Sequence, residues 1–147
     1  MLRNLSEKDL PYLLAIEQAT QFTPWTEEIF MRCLQVGCRG WVVELDQTVV
    51  GFILLSALGE EGHVLNLCIH PDQQRCGYGK QLLLHALEES EHKGVKLVLL
   101  EVRSSNLPAI HLYEQTGFIQ IGERKNYYPA PTGRENALVF AKDLGVE

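Results

Sequence analysis

The run Gln74-Arg75-Cys76-Gly77-Tyr78-Gly79-Lys80 carries the most specific chemical signal in the sequence. It lies between an extended apolar run and the apolar stripe of a helix. The start of a helix leaves backbone N–H groups without partners, and these attract anions. Glycines let that backbone approach a phosphate with no side chain between them. Arg75 and Lys80 add positive charge beside the turn. The chemistry is phosphate binding or, on the plainer reading, a glycine-rich turn that opens a helix and holds nothing. Two common phosphate loops do not fit. The loop of nucleotide hydrolases needs Gly and Ser/Thr where Gln74 and Gln81 stand. The dinucleotide loop needs a third glycine where Leu82 stands.

Two further side chains could take part in proton transfer. Glu101 closes an apolar strand and shares a face with Leu97 and Leu99. A carboxylate there is either partly desolvated, and so a stronger base, or faces water and pairs with Arg103. Tyr113 follows Ile110 by three, which puts it on the inward side of a helix, where a core aromatic is the commoner role. Metal chemistry is not expected. Cys33, Cys38, Cys68 and Cys76 lack the two-residue gap of zinc or redox motifs, and the histidines do not cluster with them. They read as reduced thiols.

The elements that must position these groups follow from periodicity. Ser6 and Asp9 resemble a capping arrangement for a helix from Glu7 to about Ala19. Phe22-Thr23-Pro24-Trp25 breaks it, and Thr26 caps a second helix that Gly37 stops. Trp41–Leu45, Thr48–Leu58 and His63–His70 read as an antiparallel meander. A helix from the glycine loop runs to Gly94, followed by the strand Lys96–Val102. The apolar core of that strand, Leu97-Val98-Leu99-Leu100, predicts cover on both faces. Asn106-Leu107-Pro108 opens a last helix that ends at Gly117. Phe118–Lys125 and Asn136–Leu144 form a final strand pair, joined by a Tyr-Tyr-Pro-Ala-Pro loop. The strand–helix–strand unit predicts parallel pairing with a right-handed crossover. The expectation is one α/β domain over residues 1–147. Its sheet is mixed, mostly antiparallel, of about six to seven strands, with helices on both faces.

Composition bounds the function. With 46% hydrophobic and 22% charged residues the chain reads as an ordinary globular domain. No run approaches the roughly 18 apolar residues of a membrane helix. Charges at Glu7, Lys8 and Asp9 follow the N-terminus directly, so no signal peptide is expected and a cytoplasmic location follows. A net charge of -6 argues against direct nucleic-acid binding and suits a cationic partner. A monomer is the default expectation.

Gln74, Gly77 and Gly79 match Gln/Arg-x-x-Gly-x-Gly/Ala, which resembles the pyrophosphate loop of the GNAT acetyltransferases. Leu100-Glu101-Val102-Arg103-Ser104-Ser105-Asn106, Ala109 to Phe118, and Arg124-Lys125-Asn126-Tyr127-Tyr128-Pro129 are similar to the RimI group of that family, as is Pro24-Trp25. The resemblance spans about Leu10 to Leu144 and implies the GNAT fold, with a central strand–loop–helix site for acetyl-coenzyme A. It implies a transfer of acetyl to a protein N-terminus, for that group the N-terminal alanine of a small-subunit ribosomal protein. It places Glu101 as general base and Tyr113 as general acid. It assigns Arg75, Cys76, Gly77, Tyr78, Gly79 and Lys80 to the pyrophosphate and Asn106 to the coenzyme. It also assigns the backbone of Leu67, Cys68 and Ile69 to the pantetheine arm, with an amide from that strand as oxyanion donor. Cys76 and Tyr78 depart from the commoner loop residues, at positions where the backbone does the binding.

Trp25, Tyr127 and Tyr128 are candidates for lining an acceptor groove, or else packing aromatics. An amine attacks a thioester only when neutral, and an α-amino group has a pKa of about 7.7–8.0. A carboxylate in reach removes that proton, and a phenol can return one to the departing thiolate. Direct transfer is expected, because neither Cys68 nor Cys76 has a neighbouring base in sequence. The alternatives are acetylation of a lysine or small amine, and a non-catalytic coenzyme-binding module.

Overall fold

The computed structural model describes residues 1–145. Seven strands form a single sheet, ordered β1-β2-β3-β4-β5-β7-β6. Along the chain run β1 (Leu2–Asn4), α1 (Leu10–Thr20), α2 (Glu27–Gln35), β2 (Arg39–Leu45), β3 (Thr48–Leu58) and β4 (Glu61–Ile69). They are followed by α3 (Tyr78–His92), β5 (Leu97–Arg103), α4 (Leu107–Gln115), β6 (Ile119–Ala130) and β7 (Gly133–Asp143). Among the described residues only β4 and β5 pair in parallel, with α3 as their crossover. Every other ladder is antiparallel.

The sheet carries one apolar core on each face. Leu10, Leu13 and Ile16 recur at helical spacing along α1 and bury against Val42, Phe52 and Leu54, with Phe30 and Cys33 of α2. On the other face Leu82, Leu83 and Ala86 of α3 meet Trp41, Ile53 and Leu55. Alternate residues of β2 and β3 therefore serve opposite cores, as the two-residue strand period requires. The helix starts are built locally. Ser6 donates its backbone N–H to Asp9 Oδ2 at 2.9 Å, and a 3-10 turn at Glu7–Asp9 leads into α1. Thr26 Oγ1 accepts from the Ile29 N–H at 3.3 Å to cap α2.

Two expectations need correction. Strand β5 is buried through Val98, Leu100 and Val102 but only half-buried through Leu97, Leu99 and Glu101. Helices α3 and α4 pack one face, while the other lies beyond the reach of α1 and α2 and borders open cavities. Tyr127-Tyr128-Pro129-Ala130 belongs to β6 rather than to a loop. Proline is tolerated there because β6 is the last strand of the sheet. A register break between Arg124 and Tyr128, with Asn126 at φ +52°, bends the strand within its length.

Candidate active site

Strands β4 and β5 pair only from Glu61–Leu97 to Val64–Leu100. Beyond that point β4 runs on to Ile69 and β5 to Arg103 with no ladder between them. The cause is a bulge. Val64 faces Leu55 and Asn66 faces Leu54, so Leu65 is an extra residue in β4. A bulge bends its strand and strengthens the twist, which turns β4 away from its neighbour. The edge of β4 from Asn66 to Ile69 then lines the wedge between the two strands. An extended ligand with amide groups could pair with that edge.

The glycine loop lies at the open end of the wedge. Gly77 has φ +86°, a left-handed conformation that glycine adopts without strain, and it caps α3. The first intrahelical bond runs from the Gln81 N–H to the Gly77 carbonyl at 3.1 Å. The amides of Tyr78, Gly79 and Lys80 precede it and have no acceptor within the helix. A Cβ added at Gly79 would meet only ordinary contacts, at 3.6 Å from Leu112. A side chain there would fit without a clash, so packing does not account for the glycine. Gln74 ties the loop back to the strand by donating from Nε2 to the Ile69 carbonyl at 3.0 Å.

A cavity of about 320 Å³ fills the wedge on the α1 side. Glu17, Asn66, Glu101, Tyr113 and Tyr128 contribute polar groups to it, and Thr23 and Trp25 form a wall. A second cavity, of about 450 Å³, continues past Leu67, Cys68, Ile69 and Gln74. Arg103 and Asn106 line both. Glu101 is partly exposed and pairs with the Arg124 guanidinium. The Tyr113 ring is buried against Phe118 and Phe140, with centroids at 5.8 and 6.3 Å. That burial raises the phenol's pKa, so it stays protonated. Glu17 is fully buried. It accepts from Asn66 Nδ2 at 2.7 Å and from the Trp25 N–H at 3.4 Å. Burial raises its carboxyl above the usual range, and these hydrogen bonds only partly offset the shift. Burial, reinforced by the charge of Glu17, pushes the Cys68 thiol up to about 12.

Residues 1–118 match the acetyltransferase (GNAT) family. The chain belongs to the GNAT acetyltransferase family. It is 38% identical over 147 residues to the [ribosomal protein bS18]-alanine N-acetyltransferase of Escherichia coli K12, covering 99% of this chain and 98% of that protein. The same enzyme of Haemophilus influenzae is 38% identical over 136 residues, covering 90% and 91%. The crystal structure of the Escherichia coli ribosomal-protein-S18-alanine N-acetyltransferase superposes with a TM-score of 0.95 at 34% identity, covering 100% of this chain and 95% of that one. Ard1 from Thermoplasma volcanium gives 0.89 at 25% identity, covering 100% and 98%.

Set on this GNAT fold, most of the residues singled out in the sequence fall into three groups. Glu101, Tyr113, Trp25 and Tyr128 line the first cavity, and Leu67, Cys68 and Ile69 form the open strand edge. Arg75 to Lys80 surround the start of α3. Asn106 caps α4, its Oδ1 accepting from the Ala109 N–H at 3.2 Å, and also borders both cavities. Tyr127 stands apart. It is exposed, lies outside the first cavity, and stacks edge-on against Tyr128 at 5.0 Å. Sequence reasoning passed over Glu17, Asn66 and Arg124. Glu17 had a signal, because it occupies the apolar stripe of α1 after Leu10 and Leu13. The pairing imagined for Glu101 with Arg103 does not form, since Arg103 turns to Glu135 at 3.0 Å. Among the described residues no group of three His, Cys, Asp or Glu side chains could hold a metal, and no helix is long and apolar enough to cross a membrane.

Proposed function

We propose that this GNAT protein transfers acetyl from acetyl-coenzyme A to the N-terminal α-amino group of a protein, with the N-terminal alanine of ribosomal protein bS18 as its acceptor. The observation that carries the reading is similarity across the whole chain, 38% over 147 residues, to enzymes named for that reaction. The site's geometry supports it. The free amides at the start of α3 suit the pyrophosphate, and the open edge of β4 suits the amides of the pantetheine arm. The thioester then reaches the junction of the two cavities, beside Glu101 and Tyr113. A ribosomal acceptor favours a cytoplasmic location.

The roles of Glu101 and Tyr113 in this proposal come from the resemblance to the RimI group, and the cavity that both line supports them. Glu101 takes a proton from the arriving ammonium, directly or through water. The amine nitrogen forms a bond to the thioester carbon, and an amide of the β4 edge faces the oxyanion. As the carbon–sulfur bond breaks, the buried Tyr113 hydroxyl gives its proton to the coenzyme sulfur, and the second proton leaving the nitrogen restores the phenol, directly or through water. A thiol held near 12 is a poor nucleophile at neutral pH, which favours direct attack over an acyl-Cys68 intermediate.

The test is turnover of acetyl-coenzyme A with a short peptide beginning Ala-Arg. A second peptide has its N-terminus blocked and carries a lysine. Acetylation of the free terminus alone is the expected outcome. Acetylation of the blocked peptide would move the enzyme to the lysine class. Coenzyme binding without turnover on either would overturn the assignment of the acceptor.

A further inference from the structure

Arg103 ends β5 and projects into the boundary between the two cavities. Its Nη1 donates to the Pro129 carbonyl at 2.6 Å and to Glu135 Oε1 at 3.0 Å. Its Nη2 reaches Thr23 Oγ1 at 3.4 Å. The same guanidinium lies 4.6 Å from the centre of the Tyr128 ring. The other carboxylate oxygen of Glu135 accepts from the Ser105 N–H at 3.2 Å, beside the Asn106 cap of α4.

One side chain thus fastens three walls that are remote in sequence: the α1–α2 connection, the tip of the β6–β7 hairpin, and the end of β5. The hairpin tip needs such a tie. Its ladder is interrupted between Arg124 and Tyr128 and resumes only as the short pairing of Tyr128–Ala130 with Gly133–Glu135, so the segment bearing Tyr128 and Pro129 is cut off from the main ladder. Thr23 and Trp25 sit in a connection with neither helix nor strand. A guanidinium offers five donors in a rigid fork, which suits several acceptors at once, whereas a lysine ammonium is a compact charge on a flexible stem.

We propose that Arg103, braced by Glu135, is a positioning residue that sets the acceptor pocket, holding Thr23 and the Tyr128–Pro129 segment at the spacing an incoming peptide terminus requires. It touches no reacting atom in this role and acts through the walls it joins. The inference rests on the reading that the smaller cavity takes the acceptor.

The experiment measures steady-state kinetics of the full chain and of Arg103→Gln, Arg103→Lys and Glu135→Gln, with the Ala-Arg peptide varied at saturating acetyl-coenzyme A. Coenzyme Kd is measured alongside by calorimetry. Arg103→Gln should raise the peptide KM by tenfold or more, lower kcat by less than threefold, and leave coenzyme Kd within twofold. Arg103→Lys keeps the charge and the stem, so it guards against simple misfolding, and it should show most of the same KM effect. Glu135→Gln should move KM in the same direction by a smaller factor. Unchanged KM in both Arg103 variants would overturn the proposal. So would a fall confined to kcat, which means a role in the chemistry, or equal losses in peptide and coenzyme binding, which mean general loosening. A wild-type chain that ignores the alanine peptide but acetylates another amine would defeat the acceptor reading alone, and the KM split is then read on that amine.

Discussion

On the proposed reading, the coenzyme side and the acceptor side of the site are built in different ways. The coenzyme side centres on one continuous stretch, the β4 edge from Asn66 to Ile69 and the loop into α3, which offers mainly backbone amides, with Arg103 and Asn106 at its border. The acceptor side gathers Glu17, Thr23, Trp25, Glu101, Tyr113 and Tyr128 from five separate places along the chain, and it offers side chains. Backbone amides are insensitive to which side chain stands beside them, so Cys76 and Tyr78 are compatible with the proposed phosphate loop. Side chains that must converge depend on every contact between their parent elements. Damage to the first side should therefore be local and specific to the coenzyme. Damage to the second should spread through several partners.

The largest effects should divide chemistry from binding. Glu101→Gln removes the proposed base and should lower kcat by about a thousandfold, and Tyr113→Phe, which removes the proposed acid, by about a hundredfold, as loss of proton transfer does. Coenzyme Kd should stay within twofold in both, and a Kd that rises with the loss of kcat would place these residues on the coenzyme side instead. Next in size is Gly77→Ala. An L-residue in the left-handed region costs about 1–2 kcal/mol, so coenzyme Kd should rise about tenfold while the peptide KM is unmoved. A matching rise in the peptide KM would erase the distinction between the two sides.

The smallest effect concerns the buried Glu17 of the acceptor side. Its carboxyl is raised in the folded chain, chiefly by burial, so the folded state holds the proton to higher pH than the unfolded state. Stability from this group is thus greatest below the ordinary glutamate value and falls as pH rises through the folded value. Glu17→Gln removes that titration and can still accept from Asn66 and the Trp25 N–H. Its Tm should exceed that of the parent by about 2–4 °C at pH 8, with the gap closing towards pH 4. A less stable variant at pH 8 would mean that the charged carboxylate's hydrogen bonds outweigh its burial.

Asp9 is the instructive contrast. Burial pushes its carboxyl up too, but the Arg3 guanidinium, at 2.8 Å and 3.0 Å, and the Ser6 N–H bring it below the usual range. The Ser6–Asp9 capping pattern was legible in the sequence because it lies within one helical turn. The partner Arg3 was not, since nothing in the order of residues said which cation would lie over it.

The sequence by itself determined the order of elements, the parallel strand–helix–strand unit, the helix caps and the glycine loop. Each rests on hydrogen bonds or periodicity within a few residues, and those follow from local backbone stereochemistry. Only the tertiary structure decided that Tyr128 is a strand residue, that Leu65 is the bulge that opens β4 from β5, and that Arg103 pairs with Glu135 while Arg124 takes Glu101. These are choices among many possible long-range partners. They are settled by how twisted strands and packed helices close on one another, and no spacing along the chain encodes them.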